Sequence, residues 1–342
     1  MSQPGATTER RLIEIIRGAA RRAPAVRVGI GDDCAVLEPA AGSVLLATTD
    51  LLIEDVHFRR RWATPNDIGW KALAVNVSDI AAMGGRPRWA LIALACPDSV
   101  TVVEAEGFYA GMQALATEHD VSIVGGDTAA SRGGWVVNVT MLGEAARAPI
   151  LRSTARPGDT IAVTGSLGRS AAGLALLEAS PAPSGVRDEA RADVTAAHLR
   201  PRPRTREGQW LSETGGVTAM IDLSDGLATD LGHLCEESGI GARVDIGRIP
   251  VATSAREVAR ALGVDAIHWA TGGGEDYELL LACAPDAFDR LARGLASATG
   301  TTLTAVGEMT TGAEGIRYLD ACGEAVSVRP GFEHFVTGRA RA

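Results

Sequence analysis

The chain has 342 residues, 46% of them apolar and only 4% aromatic, which supports two domains packed mainly by Ala, Val, Leu and Ile. Its 42 acidic residues outnumber 33 basic ones for a net charge of −9, which excludes the basic face that non-specific nucleic-acid binding needs and suits recruitment of divalent cations. The cysteines (Cys34, Cys96, Cys235, Cys283, Cys322) form no CxxC pair, and the longest apolar run, WALIALAC, is too short to span a bilayer, so zinc, disulfide and membrane classes are excluded and a cytoplasmic protein with reduced thiols is expected.

In chain order, RLIEIIRGAARR (Arg11–Arg22) predicts a short amphipathic helix with no signal core. GIGDDCAV (Gly29–Val36) places a Gly-rich turn before a short apolar strand. VLLATT predicts a buried strand over residues 44–49. Thr64-Pro65-Asn66-Asp67 combines a Thr cap, a proline at the first helical position and an acid three residues on, so a helix starts there and stops at Gly84-Gly85. WALIALACP reads as a strand, VVEAEGFYAGMQALATEH as a long helix, VSIVGGD as a strand ending in a turn, and GWVVNVTMLGEA as a further strand. This alternation predicts a mixed α/β domain over residues 1–146.

RAPILRSTARPGD is the expected linker, opening a second, α+β domain over residues 147–342. DTIAVTG predicts a strand, SLGRSAAGLALLEA a helix, and Ser180 to about Asp193 a polar loop. HLRPRPRTREGQWL alternates arginine with proline and reads as a solvated turn leading into a helix. TAMIDLSDG is strand then turn, LATDLGHLCEESG a helix, and GARVDI, DYELLLAC, Thr304–Gly307 and Ile316–Leu319 complete the strands.

The chemistry concentrates in short segments that set aspartate beside glycine or a hydroxyl: GIGDD, TTD (Thr48–Asp50), SDIAAMGG, GGDT, IDLSDG and GGGEDYELL. Carboxylates on tight Gly-rich turns suit several Mg²⁺ ions held against phosphates, because magnesium takes few protein ligands and keeps water and phosphate oxygens. GGDT puts Asp127 on a turn at a strand end, where α/β ligands bind. In IDLSDG, alternation puts Asp222 and Ser224 on one face, while Asp225 and Gly226 open a helix whose N–H groups favour anions. The only lysine, Lys71, recurs with Val75 and Asp79 on one helix face. It is either a positive charge near phosphates or a structural partner of Asp67 or Asn76. His57 is equally a structural histidine or a ligand. No Walker A loop, dinucleotide fingerprint or protein-kinase signature is present.

GIGDDCAVL, TTDLLIEDVHF, KALAVNVSDIAAMGG, GGDT, DLSDGLATDLGH, GGGEDYELL and GFEHF occur in an order that resembles the thiamine-monophosphate kinase family from Gly29 to Phe335. Two departures, Gly85 and Gly272, replace residues of similar size. The resemblance implies an aminoimidazole ribonucleotide synthetase-like fold of two domains, mixed sheets with helices, and a homodimer paired through the N-terminal sheets. It implies ATP-dependent phosphorylation of thiamine monophosphate and several Mg²⁺ per site, while the charge and the short apolar runs lead to the expectation of no nucleic-acid or membrane partner. Carried over by motif, Asp33, Thr48, Thr49, Asp50, Asp79, Asp127, Asp222 and Asp225 would bind Mg²⁺. Tyr109, Gly126, Asp127, Arg152 and Ser224 would contact ATP, and His57, Glu275 and Phe332 the thiamine moiety. The acceptor oxygen is already ionised, so no general base is needed, and no catalytic side chain is expected beyond Lys71. Related synthetases that use ATP, and a regulatory nucleotide-binding dimer on the same scaffold, are the rival expectations.

Overall fold

The computed structural model describes residues 15, 25–30 and 34–332. Apart from residue 15, the predicted N-terminal helix lies outside them, as do Asp33 and the last three residues of GFEHF. The chain divides into two units: residues 1–149 with 199–209, and residues 150–198 with 210–342.

The first unit is built on α1 (Pro65–Ala82). Thr64 caps it: the hydroxyl accepts from the Asp67 backbone N–H, and the Asp67 carboxylate accepts from the Thr64 N–H, so two end groups are satisfied at once. The second helix, α2 (Val102–Glu118), starts from the same reciprocal arrangement between Thr101 and Glu104. The two helices meet backbone to backbone, since a Cβ added at Gly69 would lie 1.9 Å from the Phe108 carbonyl oxygen and one at Gly111 1.9 Å from that of Asn66.

A small hairpin, β1 (Val26–Val28) with β2 (Val36–Leu37), flanks the GIGDDC segment. The main sheet of the unit contains β3 (Val44–Ile53), β4 (Arg86–Pro97), β5 (Ser122–Ser131) and β6 (Val136–Ala145), in the order β3-β6-β4-β5. β4 and β5 run parallel, joined by α2, and the other pairs are antiparallel. α1 covers one face, burying Leu46, Leu52, Ile92, Val137 and Val139. The other face carries Leu45, Leu51 and Leu91, all exposed.

Two strands are longer than their motifs suggest. β3 continues through TTD to Ile53, and β5 continues through GGDT to Ser131 because its pairing with β4 persists to Pro97↔Ser131. Asp127 therefore lies within a strand and not on a terminal turn. The HLRPRPR segment is also not solvated: Pro201 and Pro203 are buried, the Trp70 indole donates to the Pro201 carbonyl at 2.9 Å, and Arg200 Nε donates to Asp67 at 2.5 Å. It belongs to the first unit because Pro201 and Arg200 hydrogen-bond residues of α1, the Trp70 indole and the Asn66 and Asp67 side chains.

The second unit is a seven-stranded mixed sheet ordered β13-β12-β9-β11-β7-β10-β8. Its strands are β7 (Thr160–Thr164), β8 (Val217–Asp222), β9 (Gly241–Asp245), β10 (Leu279–Cys283), β11 (Leu303–Thr310), β12 (Ile316–Leu319) and β13 (Ala325–Val326). β10, at the centre of β7 and β8, is buried at every position, as a strand covered on both faces requires. Helices α3 (Arg169–Glu178), α4 (Asp188–Leu199), α6 (Leu227–Ser238), α7 (Thr253–Leu262), α8 (Ala266–Gly272) and α9 (Phe288–Thr299) belong to this unit, and α5 (Thr205–Thr214) is shared between the two at Gln209/Trp210. The polar stretch expected as a loop up to Asp193 is helical from Asp188, where two acids open the first turn of α4.

Candidate functional site

In the first unit, strand alternation sorts the TTD motif. Thr48 and Asp50 face α1, where the Thr48 hydroxyl donates to Asp79. Burial, with the charge of Asp79 beside it, pushes the Asp50 carboxyl up to about 7. Thr49 faces the other way, its hydroxyl donating to the Val139 carbonyl at 3.1 Å near Asn138 and Thr140. The Asp127 side chain is exposed, registers with Ala93 on that same open face, and accepts the Thr128 N–H at 2.9 Å. Thr49 and Asp127 are thus turned away from the Thr48–Asp50–Asp79 group. At Gly126 a Cβ would lie 1.9 Å from the Ile92 carbonyl, so glycine there serves close strand packing.

Tyr109 is not on a surface. It is 1% exposed, edge-on to Phe108, and its phenol reaches Thr128 without a well-formed hydrogen bond. Burial raises its pKa and keeps it neutral. Lys71 is 3% exposed and its ammonium donates to the His57 carbonyl at 3.1 Å, which ties it to the His57 turn. That turn is closely specified. The Val56 and His57 N–H groups both donate to the Ile53 carbonyl, Asp55 takes a left-handed φ of 65°, and His57 Nδ1 accepts the Ile53 N–H at 3.0 Å. With Nδ1 an acceptor, the proton of the neutral ring sits on Nε2.

In the second unit three loops interlock through glycines. The Glu275 N–H donates to the Ser224 carbonyl at 2.7 Å, and the Phe332 N–H donates to the Asp225 carbonyl at 3.1 Å. A Cβ at Gly274 would lie 2.5 Å from the Ser224 oxygen, and one at Gly331 1.8 Å from the Asp225 oxygen. Asp222, Ser224, Asp225, Glu275 and Phe332 are thereby gathered at the end of β8 beside the start of α6. Phe332 is exposed although apolar, and Glu275 adopts a left-handed φ of 67°. Arg152 lies apart on an exposed stretch, its neighbour Leu151 accepting the Met220 N–H two residues back along β8 from Asp222.

Asp230, which lies in DLSDGLATDLGH but to which the sequence assigns no role, organises this turn. Its buried carboxylate accepts the N–H groups of Asp225 at 3.1 Å and Gly226 at 3.0 Å. Those N–H groups are therefore occupied and not offered to an anion. Burial, reinforced by the charges of Asp222 and Asp225, holds the Asp230 carboxyl well above the usual carboxylate range. The signal in the sequence was an acid in the first helical turn after two other acids. Asp276, which follows Glu275 in GGGEDYELL, is turned inward: its carboxylate accepts the N–H groups of Gly168 at 2.6 Å and Ser170 at 3.2 Å, and desolvation pushes it up to about 7.

Among the described residues no three His, Cys, Asp or Glu side chains converge as a ready metal cage. What each unit offers is crowding: Asp50 against Asp79, and Asp222, Asp225 and Asp230 together. These crowded carboxylates, with the Thr48 hydroxyl beside Asp79, are hard oxygen donors whose repulsion, read in the raised Asp50 and Asp230 carboxyls, a divalent cation would relieve.

The geometry coincides with known proteins. The AIR synthase related protein N-terminal domain matches residues 31–145 and its C-terminal domain residues 156–320. The thiamine-monophosphate kinase of Escherichia coli (strain K12) is 39% identical over 319 residues, covering 91% of this chain and 93% of that protein. The crystal structure of thiamine-monophosphate kinase from Stenotrophomonas maltophilia K279a superposes with a TM-score of 0.80 at 36% identity, covering 92% of this chain and 96% of that one. AaThiL complexed with AMPPCP and TMP gives a TM-score of 0.76 at 32% identity, covering 87% and 89%. The interlocked carboxylate loops and both matched domains lead to one conclusion: the chain belongs to the thiamine-monophosphate kinase family.

Proposed function

We propose that this protein transfers the terminal phosphoryl group of ATP directly to the phosphate of thiamine monophosphate, giving thiamine diphosphate and ADP. The observation that carries the reading is family membership along 91% of the chain, with a relative complexed with an ATP analogue and TMP together. The terminal P–O bond of ATP breaks, ADP leaves with its electron pair, and an ionised oxygen of the acceptor phosphate forms the new bond. No proton has to be removed, which agrees with the carboxylate-rich chemistry and the burial of Lys71 and Tyr109.

Thr48, Asp50 and Asp79 in the first unit, and Asp222 and Asp225 in the second, are the residues that fit Mg²⁺. Magnesium, when bound, would neutralise phosphate charge and draw the attacking and leaving oxygens into line. Asp230 keeps Asp225 and Gly226 in place without itself facing the ligand. Asp33, Thr49, Asp127, Gly126, Arg152 and Ser224 retain the metal and nucleotide roles that the family assigns, and His57, Glu275 and Phe332 those toward the thiamine moiety. His57 fits a ligand role because its Nδ1 is committed to Ile53. The exposed face of the first sheet, with Leu45, Leu51 and Leu91, is the surface for homodimerisation.

Purified protein with ATP, Mg²⁺ and thiamine monophosphate is expected to yield thiamine diphosphate and ADP in equal amounts on chromatography. Turnover of formylglycinamidine ribonucleotide or selenide, with none of thiamine monophosphate, would overturn the assignment.

A further inference from the structure

The last turn of α4 contains His198, a histidine that no motif marks and no step of the reaction uses. The residue is 4% exposed. α4 comes close enough to α3 for this because residue 173 is glycine; a Cβ there would lie 2.1 Å from the Val194 carbonyl and 3.0 Å from the His198 Cβ. His198 Nδ1 lies 3.2 Å from Glu275 Oε2 and 3.1 Å from the Ser170 hydroxyl. An ionised carboxylate only accepts, so Nδ1 carries the proton in this contact. Ser170 is itself fixed, its N–H donating to Asp276.

Glu275 needs such a constraint. It and Tyr277 both take left-handed backbone angles, φ 67° and 50°, on either side of the half-buried Asp276. Non-glycine residues persist there only when their surroundings over-determine them, and such strain clusters at ligand-binding segments. The backbone is pinned by the Glu275 and Tyr277 N–H groups donating to Ser224 and Leu223. The Glu275 side chain, 25% exposed, has its carboxylate end held by a ring that is itself buried.

We propose that His198 is a positioning residue for substrate selection: it fixes the Glu275 carboxylate in the orientation that receives the heterocyclic, cationic half of the phosphate acceptor. The proposal rests on the reading of Glu275 as an acceptor-binding residue. The acceptor combines a cationic thiazolium with an aminopyrimidine donor, and a carboxylate suits either only when its direction is set in advance. The contacts of His198 lead to Glu275 and to Ser170, so the proposal requires its effect to fall on the acceptor.

Steady-state kinetics of His198→Ala, His198→Asn and Glu275→Gln, each against both substrates, test this. His198→Ala is expected to raise KM for thiamine monophosphate about tenfold, with KM for ATP and kcat within about twofold of wild type. His198→Asn, whose amide nitrogen replaces Nδ1 as donor, should restore most of the loss. The His198→Ala/Glu275→Gln double variant should be no worse than Glu275→Gln alone. If Glu275→Gln raises KM for the acceptor and folded His198→Ala does not, the positioning role fails and the reading of Glu275 stands. If Glu275→Gln leaves that KM unchanged, the reading of Glu275 fails and takes the proposal with it. A parallel rise in both KM values, or a collapse of kcat alone, would mark His198 as merely structural and overturn it. Should His198→Ala not fold, His198→Gln against His198→Asn decides: selective loss in the longer side chain supports the role, and two wild-type profiles refute it.

Discussion

Asp50 shows how a carboxylate can be poised for a metal by its own discomfort. Its folded carboxyl titrates at about 7 against an ordinary 3.8, through burial first and Asp79 second. A raised carboxyl holds its proton more tightly in the folded state, so its stabilising contribution is complete below pH 3.8 and is lost as pH rises through 7. Asp50→Asn should therefore be more stable than wild type in EDTA at pH 8, by up to about 4 kcal/mol, and the gap should shrink towards zero as the pH is lowered to about 4. Urea denaturation at the two pH values reads this directly; a gap independent of pH would show that Asp50 is not crowded. Added Mg²⁺ should stabilise wild type more than the variant. Much of this site was legible, because aspartate beside glycine has few structural reasons to recur. What stayed hidden were residues acting through others. Asp230 sits in a motif that gives it no role of its own and His198 in none; the first acts on the backbone N–H groups of its own turn, the second on a side chain distant in sequence. Lys71 was conspicuous by its rarity, yet its ammonium serves a carbonyl inside the fold.

At the scale of elements, the α1–α2 contact is the most demanding joint of the first unit. Gly111→Ala would put a methyl 1.9 Å from the Asn66 carbonyl oxygen, and backbone cannot rotate away as a side chain can. Thermal or urea unfolding should show a loss of about 1–3 kcal/mol or more. Gly232→Ala is the control: a Cβ there meets nothing within 4 Å, so it should be neutral or slightly stabilising. Equal losses in the two variants would remove close packing as the cause. The start of α1 was readable because proline and the Thr64–Asp67 capping pair are local signals. The extents of β3 and β5 were not, since pairing partners far along the chain keep TTD and GGDT extended against their turn-like composition. The same holds for Pro201 and Pro203, whose burial depends on α1 and not on their own neighbours.

For the whole molecule, an exposed apolar stripe on a sheet face is what a monomer avoids. Leu45, Leu51 and Leu91 on the open face of the first sheet lead us to expect a homodimer in solution. Leu51→Arg should convert it to a species of about 35 kDa by light scattering, with the secondary structure of each protomer unchanged. A wild-type protein that is already monomeric at micromolar concentration would contradict the pairing. The central claim is direct transfer between two phosphates held by carboxylate-bound magnesium. It is tested most directly with ATP labelled in its terminal phosphate and thiamine monophosphate as acceptor. The label should appear wholly in the outer phosphate of thiamine diphosphate, with ADP unlabelled and none in inorganic phosphate or on the protein. Label recovered as inorganic phosphate, or bound covalently to the chain, would contradict it.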